Sequence, residues 1–364
     1  MGFSALRFYH FRNLEDQTLT WDSKEIFLVG ENGQGKTNVL EALYCMSYGK
    51  SFRGKKDTDL IRRGESEALV EGSYTSEEQE GFSLRFYIGE NKGETQKKIT
   101  LEGKELKDRL ELVGSIPTIL FVPEDIQYII GSPEAQRTFF NQTCILSKPS
   151  FLRVWKGYVS LLKHRNAVLK KGNRELLGVY DEELVRLGLE VQRERTQVLS
   201  AFAPVFSSVF SEVSQIVQPV ALRYLPSWKE EDPKHILRTL NLRQELDLRF
   251  GITTTGPHRD RFLFLFGDGE FVTTASNGQI RLASLVLRIA QALFYTERTG
   301  RKPILLIDDV LLEMDYARRR RFFSVLPAYE QAIFTFLPDE PYKAYQQPNT
   351  RVYTVKRGRV EEHG

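Results

Sequence analysis

The sequence predicts an α/β fold interrupted by an inserted helical segment. Three observations carry that expectation. GENGQGKTNVLEALY, Gly30 to Tyr44, has the form G-x4-G-K-[ST]. PILLIDDVLLEMD, Pro303 to Asp315, sets two aspartates at the end of an apolar strand. Between these stretches, from about Pro133, strand patterning gives way to helical spacing of apolar residues.

The elements follow in order. LRFYHFRNL and QTLTWD read as strands, and EIFLVG (Glu25 to Gly30) as a buried strand bounded by polar residues. NVLEALYCM carries Val39, Leu40, Leu43, Tyr44 and Met46 at roughly helical spacing. EALVEGSYT, GFSLRFYIGE and KKITLEG read as further strands, with GENKGE as a turn, and SIPTILFVPEDI as a strand closed by Pro123. FLRVWKGYVSLLKHRNAVLKKG reads as a helix on Val154, Tyr158, Leu161, Leu162 and Leu169. A second helical region from about Val179 to Val217 carries a stripe that includes Leu184, Leu187, Val191, Val198, Phe202 and Phe206. It is too short for a long coiled-coil arm. The α/β texture returns near ALRYLPSW, and DRFLFLFGDGEFVTT reads as a hairpin with Gly-Asp-Gly at its tip. NGQIRLASLVLRIAQALFYTERTG is a long helix ending at Gly300, followed by the strand KPILLIDDV, the helix YARRRRFFSVL and the strand QAIFTFLP. The expected division is 1–125, a helical insertion at 126–250, and 251–364.

The chain of 364 residues, 41% hydrophobic, supports ordinary globular cores. No apolar run approaches the roughly 18 residues needed to span a membrane, and the N-terminal stretch lacks the continuous apolar segment of a signal peptide. Cys45 and Cys144 have no metal-like spacing and read as buried thiols of a cytoplasmic protein. A net charge of +3 permits nucleic-acid binding without arguing for it.

The strand–loop–helix setting makes Gly30 to Thr37 a phosphate-binding loop. Its glycines let the backbone wrap a phosphate, and free N–H groups and the helix dipole favour the anion. Gly30, Glu31, Asn32, Gly33, Gln34 and Gly35 would form the cradle for ATP, Lys36 would reach the β- and γ-phosphates, and Thr37 would ligate Mg²⁺. Asp308 fits the carboxylate that holds Mg²⁺ from the second strand, and Asp309 would orient or deprotonate an attacking water. Ser276, Gly278 and Gln279 open the long helix at its N-terminus. Ser276 reads either as an N-cap or as an anion contact offered to the nucleotide of a second copy. His258, in GPHRD, invites a catalytic reading, although a lone histidine in a turn more often serves structure. Arg53, Lys55 and Lys56 form one basic cluster, and Arg318 to Arg321 another. Each is either a solvated face or a DNA contact whose affinity would fall steeply with salt.

Taken together, these stretches resemble the ABC-type ATPase heads of SMC-like DNA-repair proteins, and within that group the RecF family. LRFYHFRNL is similar to the family's opening strand, GKSFRGKKDTDLIRRGE to the segment after the P-loop, and FVPEDIQYIIGSPEAQRTFFNQ to the entry into its inserted domain. LLKHRNAVLK, TTGPHRDRF, SNGQIR and LLIDDVLLEMD resemble its R-N-x-x-L helix, a stretch peculiar to it, its signature and its Walker-B/D-loop. The sequence departs at Gln136-Arg137, where paired arginines are usual, at Asn141, where an acid is usual, and at Met314, where leucine is usual.

The resemblance implies an ABC-type P-loop ATPase head with an inserted helical domain. It implies a cytosolic recombination mediator for DNA repair and replication, with links to SOS induction. Such a protein binds single-stranded, duplex or junction DNA as an ATP-dependent homodimer, with RecR and RecO as partners. The general bases of such heads are glutamates. The shorter Asp309 therefore implies slow hydrolysis that acts as a timer, and the resemblance implies a weak, DNA-stimulated ATPase. Other readings stay open: a scaffold whose nucleotide only stabilises the fold, or the ATPase subunit of another ABC-type complex.

Overall fold

The computed structural model describes residues 2–21, 23–54, 56–76, 81–91, 93–107, 109–216, 218–312 and 314–363. Lys55 of the first basic cluster and Val217, at the end of the second helical region, lie outside the described residues. The chain forms two compact units, Met1–Pro123 with Gly300–Gly364, and Glu124–Thr299. The first boundary falls near the expected 125/126. The second falls at 299/300 instead of 250/251. The first strands after residue 250 do not join the first unit's sheets: Arg261–Phe266 pairs with Gly269–Glu270 and with Val220–Leu225 inside the second unit.

In the first unit, one sheet has the order Arg359–Glu362, Thr350–Lys356, Glu25–Val29, Gln331–Phe336, Ile304–Ile307, Thr118–Phe121. Its members run parallel except at the Arg359–Glu362 edge. Glu25–Val29, Gln331–Phe336 and Ile304–Ile307 are mainly apolar because both faces of a parallel sheet are covered. A second sheet, from Gln17–Thr20 to Lys104–Glu105, is antiparallel throughout. The helix Lys36–Tyr48 is buried on nearly all sides. Its Val39, Leu40, Leu43 and Met46 share one core with Phe8 and Val70 of the antiparallel sheet and Ile26 and Leu306 of the parallel one. Enclosure explains why this helix shows little amphipathic patterning.

The second unit contains the helices Pro133–Ser147, Phe151–Lys170, Leu177–Ser214, Pro233–Phe250 and Asn277–Thr299, with a three-stranded sheet. Buried arginines bind its segments together. Arg165 bonds Asp181 at 2.7 Å and both Asp247 and Thr253 at 2.8 Å. Arg195 bonds Asp260 at 2.6 Å, Pro257 O at 2.7 Å and the Asn141 amide oxygen at 2.9 and 3.1 Å. An acid is therefore not needed at position 141, because Asp260 already balances Arg195.

Some elements differ from the sequence expectation. FVTT, read as the second arm of a hairpin, is a helical turn, and the arm is only Gly269–Glu270. The helices Pro133–Ser147 and Pro233–Phe250 and the hairpin Thr350–Lys356/Arg359–Glu362 had no counterpart in the sequence reading. Both helices nonetheless carry start signals: Ser132 and Asp232 are N-caps, each followed by proline.

Candidate nucleotide site

The parallel sheet sets the site. Gln331–Phe336 lies between Glu25–Val29 and Ile304–Ile307, all in one direction. The loop after Glu25–Val29 and the aspartates after Ile304–Ile307 therefore leave the same edge, where open α/β sheets bind ligands.

Residues 30–35 connect that strand to the helix Lys36–Tyr48. A Cβ on Gly30 would stand 2.3 Å from Val355 O, so glycine alone fits there. Gly35 caps the helix at φ 116°, which side-chain-bearing residues rarely adopt. Lys36 Nζ donates to Gly30 O at 2.6 Å and Glu31 O at 3.2 Å, folding the amine back over the loop. The loop is braced from outside. Gln34 O accepts from Gly358 N at 2.8 Å, Gln34 Oε1 accepts from Arg357 N at 2.7 Å, and Asn13 Nδ2 donates to Gly33 O at 3.2 Å. The side chains of Glu31 and Asn32 are exposed.

Thr37 Oγ1 donates to Asp308 Oδ1 at 3.1 Å, which brings the two proposed Mg²⁺ ligands together across 271 residues of chain. Asp308 is 5% exposed. Burial, reinforced by the charge of Asp309, pushes its pKa up to about 6. Asp309 has φ 51°, an uncommon left-handed conformation outside glycine that aspartate tolerates better than most. Its backbone N donates to Thr335 Oγ1 at 2.8 Å, and that hydroxyl stands 2.9 and 3.1 Å from carboxylate oxygens of Asp309 and Asp308. Thr335 was absent from the sequence expectation. Its signal is a polar residue at the centre of the apolar run AIFTFL.

A second group beside the loop also escaped sequence reading. Glu41 lies fully buried on the P-loop helix. Arg12 grips it with two bonds of 2.9 Å, and Arg53 and Ser51 bond it as well. Burial alone would raise the Glu41 pKa, but the bonds to Arg12 and Arg53 outweigh it and hold the acid below its ordinary value. Arg12, Arg53, Asn13 and Asn38 line an open cavity of about 1120 Å³ beside the helix N-terminus.

The basic clusters are therefore not uniform solvated or DNA-facing rows. Arg53 is bound to Glu41 and Asn38. Arg319 is buried against Glu340 at 3.3 Å and the carbonyls of Leu312 and Met314, and Arg318 pairs with Asp315 at 3.4 Å. Lys56 and Arg320 are exposed.

Ser276, Gly278 and Gln279 lie in the second unit. Ser276 Oγ accepts from Gln279 N at 3.3 Å, and Gln279 Oε1 accepts from Ser276 N at 2.8 Å. This reciprocal pair is a capping box, so the N-cap role holds within the monomer. His258 is structural: its Nε2 stands 2.8 Å from Thr253 O and its Nδ1 2.7 Å from Tyr158 OH. Nε2–H donates to the carbonyl, and Nδ1 accepts from the phenol. Burial pushes the His258 pKa down to about 4. Both cysteines are buried free thiols. Among the described residues, no group of acids, histidines and cysteines forms a metal cluster, and no helix is long and apolar enough to cross a membrane.

The family described as "RecF/RecN/SMC N terminal domain" matches residues 3–361. DNA replication and repair protein RecF of Treponema pallidum (strain Nichols) is 38% identical over 355 residues, covering 97% of this chain and 99% of the relative. The chain belongs to the RecF family. The structure described as "the recombination mediator protein RecF-ATP in RecFOR pathway" is 28% identical, covers 100% of this chain and 98% of its own, and superposes with a TM-score of 0.90. An Smc head, bound to the C-winged helix domain of ScpA, shares the fold at 15% identity and a TM-score of 0.59, covering 100% of this chain and 97% of its own. The ABC-type ATPase-head fold expected from the RecF resemblance is thus the fold found.

Proposed function

We propose that this RecF-family chain is an ATP-gated DNA-binding mediator of recombination in DNA repair and replication, including gap repair and SOS induction. The observation that carries the reading is the junction of the P-loop with the second acidic strand, where Thr37 meets Asp308 at 3.1 Å. The P-loop backbone and Lys36 would hold the phosphates of ATP. Thr37 and Asp308 supply a hard oxygen pair suited to Mg²⁺, and a buried acid with a raised pKa is one that a nearby cation would return to its ionised form. When bound, the ion would neutralise phosphate charge.

Asp309 orients the attacking water, held in place by Thr335. Its short side chain gives slow turnover, well below the enzyme median of about 10 s⁻¹. Hydrolysis then acts as a timer, weakly stimulated by DNA. Ser276, Gly278 and Gln279 of a second copy close on the γ-phosphate, so ATP drives head-to-head dimerisation. DNA, as single strands, duplex or junction, is bound by the dimer, with RecR and RecO as partners in the cytoplasm. The RecF-ATP relative supports this reading, as does the full-length match to RecF.

Fluorescence anisotropy of a labelled single-strand/double-strand junction tests it. The protein is titrated without nucleotide, with ADP and with ATP, beside a Ser276→Arg variant. ATP alone should tighten binding, the variant should lose that gain, and affinity should fall steeply with salt. Binding that ignores nucleotide would overturn the proposal and favour a scaffold.

A further inference from the structure

The helix Pro233–Phe250 carries apolar residues on two faces. Ile236 and Leu240 point inward and pack with Val185, Leu189 and Trp228. Leu242, Leu246 and Phe250, spaced four apart, form a stripe on another face. They are exposed at 86%, 40% and 60%. The start of the helix Leu177–Ser214 lies alongside: Arg174 bonds Glu245 at 2.6 Å, and Tyr180 and Leu248 pack on the same small core. Leu176 and Val179 are exposed there too, as is Ile252 just past the helix end. Scattered exposed apolar residues need no explanation, but an aligned stripe of large ones marks an interaction surface.

The charges around the stripe narrow the occupant. Helical geometry puts Arg238 and Arg249 along one side of it and Arg243 along the other. All are exposed, and none makes a hydrogen bond or ion pair among the described residues. Glu245, the acid on this helix beside the stripe, is already taken by Arg174. A second copy of this surface would set arginine against arginine. A nucleic-acid site would not need the leucines and phenylalanine, because phosphate affinity comes from the cations. We propose that this face docks an acidic amphipathic segment of a partner protein. The partner's apolar side chains would cover Leu242, Leu246 and Phe250, and its carboxylates would pair with Arg238, Arg243 and Arg249. Pairing of opposite patches sets specificity and encounter rate, while the buried apolar centre holds the complex.

The test places a photo-crosslinking benzoylphenylalanine at position 242 of the full-length protein in its own cells, and mass spectrometry maps the attached segment. The proposal expects one segment of another protein, net acidic with apolar residues at helical spacing. Its crosslinking yield should fall at least about tenfold, a change of the size expected when interface charge pairs are lost, in the Arg243→Glu/Arg249→Glu variant. Because these arginines are exposed and unpaired, the variant should fold and keep its ATP-dependent thermal shift, which separates failure here from failure of the nucleotide reading. A crosslink to this same chain, to nucleic acid or to lipid would overturn the proposal. So would a basic segment, an unaffected yield in the charge-reversed variant, or no crosslink at all.

Discussion

Replacing Asp308 by asparagine should make the nucleotide-free protein more stable while removing its response to ATP and Mg²⁺. Asp308 ionises at about 6 in the folded state against an ordinary 3.8, chiefly because it is buried. Each unit of difference corresponds to roughly 1.4 kcal/mol, so the ionised acid costs the fold about 3 kcal/mol above pH 6. The sign follows from proton binding. Between pH 3.8 and 6 the folded state holds the proton that the unfolded state has released, so stability falls as pH rises through that window. Asparagine has the same shape and no charge, and the hydroxyls of Thr37 and Thr335 can accept from its amide. The expected gain is about 3 kcal/mol at pH 7.5, about 1.5 kcal/mol at pH 5.0, and none below about pH 4. Urea unfolding followed by tryptophan fluorescence, to which the buried Trp21 of the first unit contributes, measures it without nucleotide. Adding ATP and Mg²⁺ should then stabilise the native protein and leave the variant unchanged. A variant that is no more stable than the native protein at pH 7.5, or whose gain does not shrink at pH 5.0, would refute the electrostatic account of this acid.

Further outcomes follow from other groups. Lys36→Met removes an amine bonded to two loop carbonyls. It should change nucleotide-free stability by only about 1 kcal/mol yet abolish the ATP-dependent thermal shift; an undiminished shift would place the nucleotide elsewhere. His258, held neutral with a pKa near 4, contributes stability that is complete above pH 6.5 and lost as pH falls toward 4, by up to about 3 kcal/mol. His258→Asn should flatten the urea midpoint over that range. Arg12→Ala strips two bonds from buried Glu41 and should cost about 3 kcal/mol. Adding Glu41→Gln should restore part of that loss in a double-mutant cycle of urea unfolding.

What sequence revealed and concealed follows one physical line. The P-loop and the Ile304–Ile307 strand were legible because each is a local pattern, an apolar run followed by residues that need special backbone or charge. The Asn277–Thr299 helix was legible from its cap and from Gly300. Arg12, Glu41 and Thr335 were not, because their roles exist only once distant segments meet. Arg12 and Glu41 stand 29 residues apart in the chain, and Thr335 reaches back 27 residues to Asp308. The helix Pro233–Phe250 escaped because its apolar residues point in two directions, which blurs the single stripe that periodicity detects. TTGPHRD resembled a stretch peculiar to the RecF family, and its His258 invited a catalytic reading. It is instead a node where Thr253, His258 and Asp260 bind Arg165, Tyr158 and Arg195.

The second unit is one continuous run, whereas the first is assembled from both ends of the chain. Its P-loop is braced by Val355, Arg357 and Gly358, more than 300 residues downstream. Because domains tend to fold as they emerge during synthesis, the helical unit can reach its native state while the parallel sheet still lacks Gln331–Phe336, the strand that joins Glu25–Val29 to Ile304–Ile307. Nucleotide competence is then the last property a nascent chain acquires. A ribosome stalled between Thr299 and the Gln331–Phe336 strand would release a product that holds its interior helices but no finished site, so such a half-made copy could not occupy ATP or compete with complete ones.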